Sequence, residues 1–163
     1  TRAKVADYHL RILNWPQETG RITHVELAKR VGISPPPCLR RVRALEKAGY
    51  ITGYHAELDG PGLGFDVTVF AIVGLHSQAD ADLQAFEQLV GAWPQVRECH
   101  MLNGEIDFIL KCVAPDLASF QSFLTEKLTP APNVASVRTS LTIRRSKHAP
   151  GVPLDELMDE AQS

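Results

Sequence analysis

The sequence predicts an α+β protein with an N-terminal winged helix-turn-helix followed by a C-terminal ferredoxin-like βαββαβ domain. Two observations support this fold class. In residues 27–51, two segments of helical periodicity meet at a turn containing Gly32, and the second segment carries cations opposite an apolar row. Beyond residue 64, the apolar pattern changes between the strand and helix periods in the order β-α-β-β-α-β, which is the split β-α-β arrangement.

Charge separates the two predicted domains. Residues 1–55 contain ten Lys or Arg and four Asp or Glu, and residues 56–163 contain seven and fifteen, so net charges of +6 and −8 give the overall −2. A basic N-terminal third suits a polyanion such as nucleic acid, although the same charges also fit an ordinary solvated surface. No apolar run approaches the ~18 residues of a membrane span. We therefore expect a cytoplasmic protein, with three widely spaced cysteines that remain reduced.

The first domain, residues 1–58, should begin with two helices. Pro16 is expected to end or kink the first helix, because proline cannot donate to the helical hydrogen-bond ladder. Thr23 is expected to cap the second helix, with Glu26 three residues later completing a capping box. Gly32 ends that helix.

The third helix follows Ser34, a candidate N-cap, and three consecutive prolines. Each proline disfavours the α conformation in the residue before it, so regular helix should begin near Pro37. If the apolar row faces the core, the 100° step per residue turns Arg40 directly away from it and leaves Arg41 and Arg43 at its flanks. Arg40 is thus the candidate for reaching a major groove.

The predicted DNA contacts lie in this helix and its first turn. They are Ser34, Pro35, Pro37, Arg40, Arg41 and Arg43. Cations would contact phosphates and supply most of the affinity, and Arg40 would read a base edge. The alternative for these arginines is a solvated helix face with ion pairs at the edge of the core, above all for Arg41.

Residues 50–58 alternate well enough for a short strand or wing, and residues 59–64 form a linker rich in Gly and Pro. The second domain covers residues 65–145. Its predicted strands are 67–75, 96–102, 106–113 and 137–143, and its helices carry apolar rows at 83–93 and 117–128. The first strand is apolar on both faces, which predicts that a second copy covers the open sheet face in a homodimer. The tail, residues 146–163, is expected to be a short docked helix or disordered.

Several strings resemble the Lrp/AsnC, or feast/famine, family of transcription regulators. They are VELAKRVGISP from Val25 to Pro35, Pro37-Cys38-Leu39, Arg41-Val42, Leu45-Glu46, Glu98-Cys99-His100, and Gly104 with Asp107. The resemblance covers essentially the whole chain. It implies a helix-turn-helix at about residues 24–43 and dimers that often associate into octamers. It also implies an amino-acid effector bound between subunits near residues 103–107. Here Glu105 replaces the family's usual aspartate, and Ile106 stands where an aromatic residue is common.

The predicted effector-binding residues are Met101, Leu102, Asn103, Gly104, Glu105, Asp107, Thr139 and Ser140. Backbone N–H groups around Gly104 would bind the carboxylate of the amino acid, and Asp107 or Glu105 would accept from its ammonium. Taken without the resemblance, Asn103-Gly104 is simply a favoured two-residue hairpin turn.

We therefore predict a DNA-binding transcriptional regulator, not an enzyme, that binds a roughly palindromic operator and responds to an amino acid. No cofactor, metal or catalytic residue is predicted. One alternative is an effector-independent, nucleoid-like DNA organiser, which would use the same basic helix. Another is an enzyme or metal site at Cys99, His100 and Asp107, although neighbouring residues on a strand face opposite ways and no zinc-ligand spacing is present.

Overall fold

The structure, a computed structural model, describes residues 7–160. The helices are α1 (Asp7–Glu18), α2 (His24–Val31), α3 (Pro35–Lys47), α4 (Asp80–Gly91), α5 (Leu117–Phe123) and α6 (Leu154–Glu160), and the strands are β1 (Val67–Leu75), β2 (Val96–Met101), β3 (Phe108–Ala114) and β4 (Val134–Leu141). The chain divides into two compact units. One consists of residues 58–145, and the other combines residues up to 57 with the tail from residue 146.

The N-terminal unit is built on a small apolar core among α1, α2 and α3. Its buried residues are Ile12, Leu27, Ala28, Cys38, Val42 and Leu45. Helix α1 passes through Pro16 and continues to Glu18, so the prediction that proline ends this helix was wrong. Packing of α1 against the core outweighs the one hydrogen bond that Pro16 cannot make.

Helix α2 begins and ends as its sequence predicts. The hydroxyl oxygen of Thr23 accepts from the N–H of Glu26 at 3.1 Å. Gly32 adopts a left-handed conformation, with φ of 82°, and its N–H donates to Ala28 O at 2.9 Å. The carboxylate of Glu26 accepts from Arg30 Nε at 2.8 Å rather than returning to the cap, so only one half of the predicted capping box forms.

Helix α3 begins at Pro35, two residues earlier than predicted. The three prolines fill the first helical positions, where an N–H would have no acceptor within the helix, so their missing donors cost nothing there. Ser34 occupies the N-cap position without a side-chain capping bond, because the positions that it would cap carry no N–H. The first bond of the helix runs from Cys38 N to Ser34 O at 3.3 Å.

This difference between the two caps predicts unequal effects of removing them. Thr23→Ala should destabilise the protein by about 0.5–2 kcal/mol, because it leaves the N–H of Glu26 without its acceptor. Ser34→Ala should change stability by less than ~0.5 kcal/mol, because no capping bond is lost. Urea unfolding of the two variants measures both values, and a loss for Ser34→Ala as large as that for Thr23→Ala would contradict the proline explanation.

Residues 50–58, all of which the structure describes, form no strand. The prediction of a short strand for this wing segment was therefore wrong. A strand needs a ladder partner, and sequence alternation alone cannot supply one. The segment is instead attached to α3 by a hydrogen bond from Tyr54 Oη to Glu46 Oε1 at 3.0 Å.

The second unit is a four-stranded antiparallel sheet in the order β2-β3-β1-β4, which confirms the ferredoxin-like prediction. Helices α4 and α5 pack on one face of this sheet, and α5 continues as a π-helical turn from Leu124 to Leu128. The buried residues of this core include Phe86, Trp93, Phe108, Phe120, Phe123 and Leu128. Strand β1 matches its predicted bounds and places Val69, Ala71 and Val73 in the core.

Candidate DNA interface and effector site

A cationic stripe runs along the exposed side of α3. Cys38, Val42 and Leu45 are buried on one side of the helix. Arg40, Arg43 and Lys47 are exposed. At ~100° per residue these three cations fall within a ~60° arc that lies nearly opposite the buried row. Arg43 therefore belongs to the same stripe as Arg40, rather than to the flank of the core where the sequence placed it.

Two other arginines of this unit interact with aromatic side chains. The guanidinium of Arg41 lies 4.1 Å from the ring centre of Tyr8, and its Nη1 donates to Tyr8 Oη. Arg30 lies 4.5 Å from the ring centre of Trp15 while it pairs with Glu26. Such contacts hold the guanidinium against its own domain. We therefore assign Arg41 to fastening α3 onto α1, and not to the group that reaches furthest toward DNA.

The remaining predicted DNA contacts lie where α3 begins. Ser34 and Pro35 are exposed, and Pro37 is half-buried. Because the first three helical residues are prolines, this helix start presents no N–H groups at those positions to a phosphate. A phosphate at this helix start would have to be bound by other groups, such as the hydroxyl of Ser34.

The sheet of the second unit has an open face that is apolar in the middle and charged at one side. Phe70, Ile72, Ile109 and Val113 are only partly covered there. On the same face, Glu98 lies 3.2 Å from His100 Nε2 and 3.5 Å from Lys111 Nζ. The hydrogen bond from His100 and the nearby Lys111 hold the pKa of the Glu98 carboxyl below its ordinary value.

A cavity of about 490 Å³ opens on this face beside the loop between β2 and β3. Its walls come from β1, from β4 and from the loop, and they are Ile72, Gly74, Leu102, Asn103, Glu105, Ile106, Ser136 and Arg138. Glu105 and Arg138 bring opposite charges to a lining that is otherwise apolar or neutral. This combination fits a small zwitterion with an apolar side chain.

The structure separates the predicted effector residues into three groups. Leu102, Asn103 and Glu105 line the cavity, and Gly104 belongs to the same loop. Ser140 pairs with Phe70 on the open face but does not line the cavity. Met101 pairs with Phe108 and Thr139 pairs with Ala71, so both lie on the opposite side of the sheet from the cavity, and their contact with an effector stays a prediction.

Arg138, Ile72, Gly74 and Ser136 were missed as cavity residues. The alternation of their strands showed which residues share a face, but it did not show that this part of the face lies beside the loop. The strand pairing of Ile72 with Arg138 brings that cation next to the loop. A single cation on an otherwise uncharged stretch of the last strand is the signal that sequence reasoning passed over.

Asp107 has a structural role that the sequence did not reveal. Its Oδ2 accepts from the N–H of Leu75 at 2.6 Å and from Gln78 Nε2 at 3.4 Å. Its N–H donates to Val73 O at 3.2 Å, and its O accepts from Leu102 N at 2.9 Å. Residues 103–106 therefore form a longer loop, and the two-residue turn at Asn103-Gly104 was wrong. Asp107 thus holds this loop on β1, and its contact with the ammonium of an effector stays a prediction.

Asp107→Ala should lower the free energy of unfolding by about 1–3 kcal/mol, because the partly buried N–H of Leu75 loses its acceptor. Asp107→Asn keeps an amide oxygen in the same place and should restore most of that loss. Urea unfolding monitored by tryptophan fluorescence gives both values. Equal stability of the wild-type and Asp107→Ala proteins would show that this hydrogen bond is not what holds the loop.

The residues proposed for an enzyme or metal site do not converge. Cys99 and Cys112 pack on the helix-covered side of the sheet, whereas His100 lies on the open face and Asp107 is bonded to β1. Burial raises the pKa of both thiols to about 11, which makes them unreactive at neutral pH. Among residues 7–160, no group of three or more His, Cys, Asp and Glu is placed to hold a metal ion. No helix of this part of the chain is long and apolar enough to cross a membrane.

Comparisons with known proteins identify the domain type of each of the two units. Residues 6–52 match the model of a winged helix-turn-helix DNA-binding domain, and residues 68–152 match the Lrp/AsnC ligand-binding domain. The protein is therefore a DNA-binding transcriptional regulator with a ligand-binding domain. More narrowly, the chain belongs to the Lrp/AsnC family of transcription regulators.

Two curated relatives and two solved structures are similar over most of the chain. The leucine-responsive regulatory protein of Rhizobium meliloti strain 1021 is 55% identical over 91% of this chain and 95% of its own, and that of Escherichia coli K12 is 39% identical over 85% and 84%. A Neisseria meningitidis transcriptional regulator in complex with L-methionine superposes with a TM-score of 0.88, at 33% identity over 94% and 99% of the two chains. An AsnC family regulator from Agrobacterium tumefaciens gives 0.86, at 29% identity over 93% and 99%.

Proposed function

We propose that this regulator binds a roughly palindromic operator in cytoplasmic DNA, with the stripe of Arg40, Arg43 and Lys47 facing the major groove. The observation that carries this proposal is the position of the three cations, exposed and opposite the buried row of α3. Arg40 lies nearest the start of the helix among them, the end that reaches base edges in helix-turn-helix proteins. Arg43 and Lys47 neutralise phosphates and make the affinity fall with salt.

The open sheet face supports a homodimer, which presents two α3 helices to two half-sites. Phe70 and Ile72 lie in the middle of this face, and an apolar sheet face is normally covered in the working protein. A second copy offers the same apolar patch and both signs of charge, which suits an isologous contact. Further association of dimers into octamers belongs to the same proposal.

The effector proposal is a small amino acid with an apolar side chain, bound in the cavity beside residues 102–107. Arg138 would donate to its carboxylate, and Glu105 would accept from its ammonium. Ile72, Leu102 and Ile106 would contact the apolar side chain. The leucine-responsive relatives and the methionine complex of the Neisseria regulator support this class of ligand. The protein acts through binding and not through catalysis.

One experiment tests both halves of the proposal. Genomic DNA fragments bound by the purified protein are selected and sequenced at fixed salt, with and without each of the common amino acids, and the sedimentation of the protein is followed in parallel. Enrichment of a palindromic motif, changed by one amino acid, is the expected result. Enrichment without sequence preference would favour the nucleoid-like organiser. Enrichment of a motif that is the same with and without every amino acid would contradict the effector half of the proposal and leave the DNA half standing.

A further inference from the structure

The polypeptide crosses between its two compact units twice. It leaves the N-terminal unit after Glu57 and returns to it at Ser146, and it then forms α6. We call residues 142–160 the C-terminal strap. Near its return, His148 Nε2 lies 3.1 Å from Glu57 Oε1, at the end of the first crossing segment.

The strap is fastened to α1 by a two-way hydrogen bond. Gln17 Nε2 donates to Val152 O at 3.0 Å, and Gln17 Oε1 accepts from Val152 N at 3.1 Å. Gln17 Nε2 also contacts Asn14 Oδ1 at 3.1 Å, which orients the amide. Helix α6 packs against α1, and Leu154 at its start is 7% exposed. We call the paired bonds between Gln17 and Val152 the latch.

Gly151 makes the latch possible. Its φ is 71°, in the left-handed region, and a Cβ at this position would fall directly on the amide of Gln17. No other residue type meets both conditions without strain. The side-chain amide of Gln17 and the glycine beside Val152 are therefore matched parts of one contact.

The other end of the strap begins at the effector cavity. Ser136 and Arg138 form one wall of the cavity, and both belong to β4. Three residues beyond Arg138, β4 ends at Leu141 and the strap begins. A ligand that pairs with Arg138 thus acts on a strand that leads, without a break in the chain, to the latch on α1.

From this continuity we propose that the C-terminal strap transmits effector binding from β4 to the DNA-binding unit, with Gln17 and Gly151 as positioning residues of the latch. This proposal rests on the effector half of the proposed function. Ligand bound at Arg138 changes the position or register of β4. The strap and its latch pass that displacement to α1, on which the helix-turn-helix packs. The coupling free energy between ligand and DNA depends on the latch, while each binding event alone does not.

The test compares Gly151→Ala and Gln17→Ala with the wild-type protein and with a matched control, Gly91→Ala. Gly91 has no positive φ, and nothing lies within 4 Å of the place where a Cβ would be added. For each protein, calorimetry gives the affinity for L-leucine and L-methionine. Fluorescence anisotropy gives the affinity for a selected operator with and without the amino acid, and the ratio of these two affinities is the coupling factor.

We expect the wild-type and Gly91→Ala proteins to share one coupling factor, in the range of roughly 5 to 150. In both latch variants it should fall to about 1–2, with amino-acid affinity and ligand-free DNA affinity within about twofold of wild type. Coupling that persists in both latch variants contradicts the proposed role of the strap and leaves the effector proposal intact. A wild-type protein whose DNA affinity responds to neither amino acid overturns the strap together with the effector half.

Discussion

Arg40→Ala is expected to bind the operator about 10- to 100-fold more weakly and to lose discrimination at one base pair of each half-site. A bidentate contact from arginine to guanine contributes about 1–3 kcal/mol of discrimination, and Arg40 is the exposed arginine nearest the start of α3. Anisotropy titrations against the operator, and against variants substituted one base pair at a time, measure both effects.

Two further proteins separate base reading from simple charge. Arg40→Lys keeps the cation and should retain the salt dependence of binding, but it cannot form the planar two-bond contact and should lose the same discrimination. Arg97→Ala removes an exposed arginine from the second unit and should leave operator binding unchanged. If Arg40→Ala kept the affinity and the base preference of the wild type, Arg40 would be removed from the interface.

The position of Arg40 was accessible from sequence because helical geometry alone determines it. Cys38, Val42 and Leu45 mark the buried side, and the step per residue then turns Arg40 outward. The role of Arg41 was not accessible in the same way. Its partner Tyr8 lies 33 residues earlier in the chain, and only the packing of α1 on α3 brings the two together.

The helix boundaries show where local rules fail. Pro16 was expected to end or kink α1, and regular helix in α3 was expected only from Pro37. Instead α1 continues to Glu18 and α3 begins at Pro35. For the triple proline the reason is local, because the first helical positions need no N–H. For Pro16 the reason is tertiary, because α1 packs over the core of its unit and that packing does not appear in the sequence pattern.

The cavity beside the loop also shows which features follow from local sequence and which depend on tertiary packing. Leu102, Asn103 and Glu105 were predicted because a loop and a family resemblance pointed to them, and these residues lie within one four-residue segment. Ile72 and Arg138 are 66 residues apart, and the sheet register makes them neighbours. The hydrogen bond from Leu75 to Asp107 was not predicted, because a carboxylate suits an ammonium and a backbone N–H equally well. This bond depends on how closely β1 approaches the loop.

Arg138→Ala is expected to bind its amino-acid effector roughly 10- to 100-fold more weakly while leaving ligand-free operator binding unchanged. A hydrogen-bonded carboxylate–arginine pair contributes about 1.5–3 kcal/mol, and among the cavity-lining residues Arg138 is the cation. Calorimetry with L-leucine and with leucinamide, which lacks the carboxylate, separates this contact from general damage. The wild-type protein should prefer leucine strongly, and Arg138→Ala should bind the two ligands almost equally.

Arg97→Ala serves again as the matched control, since it removes an exposed arginine from the same unit without touching the cavity. Arg138→Lys should recover part of the preference for leucine, because it restores the charge but not the two-bond geometry. A wild-type protein that binds leucine and leucinamide with equal affinity would show that the carboxylate has no cationic partner in the cavity. Loss of affinity for both ligands to the same extent in Arg138→Ala would instead indicate a collapsed cavity. Because the preference for leucine would then persist without Arg138, the carboxylate contact would have to be assigned to the backbone N–H groups of the loop.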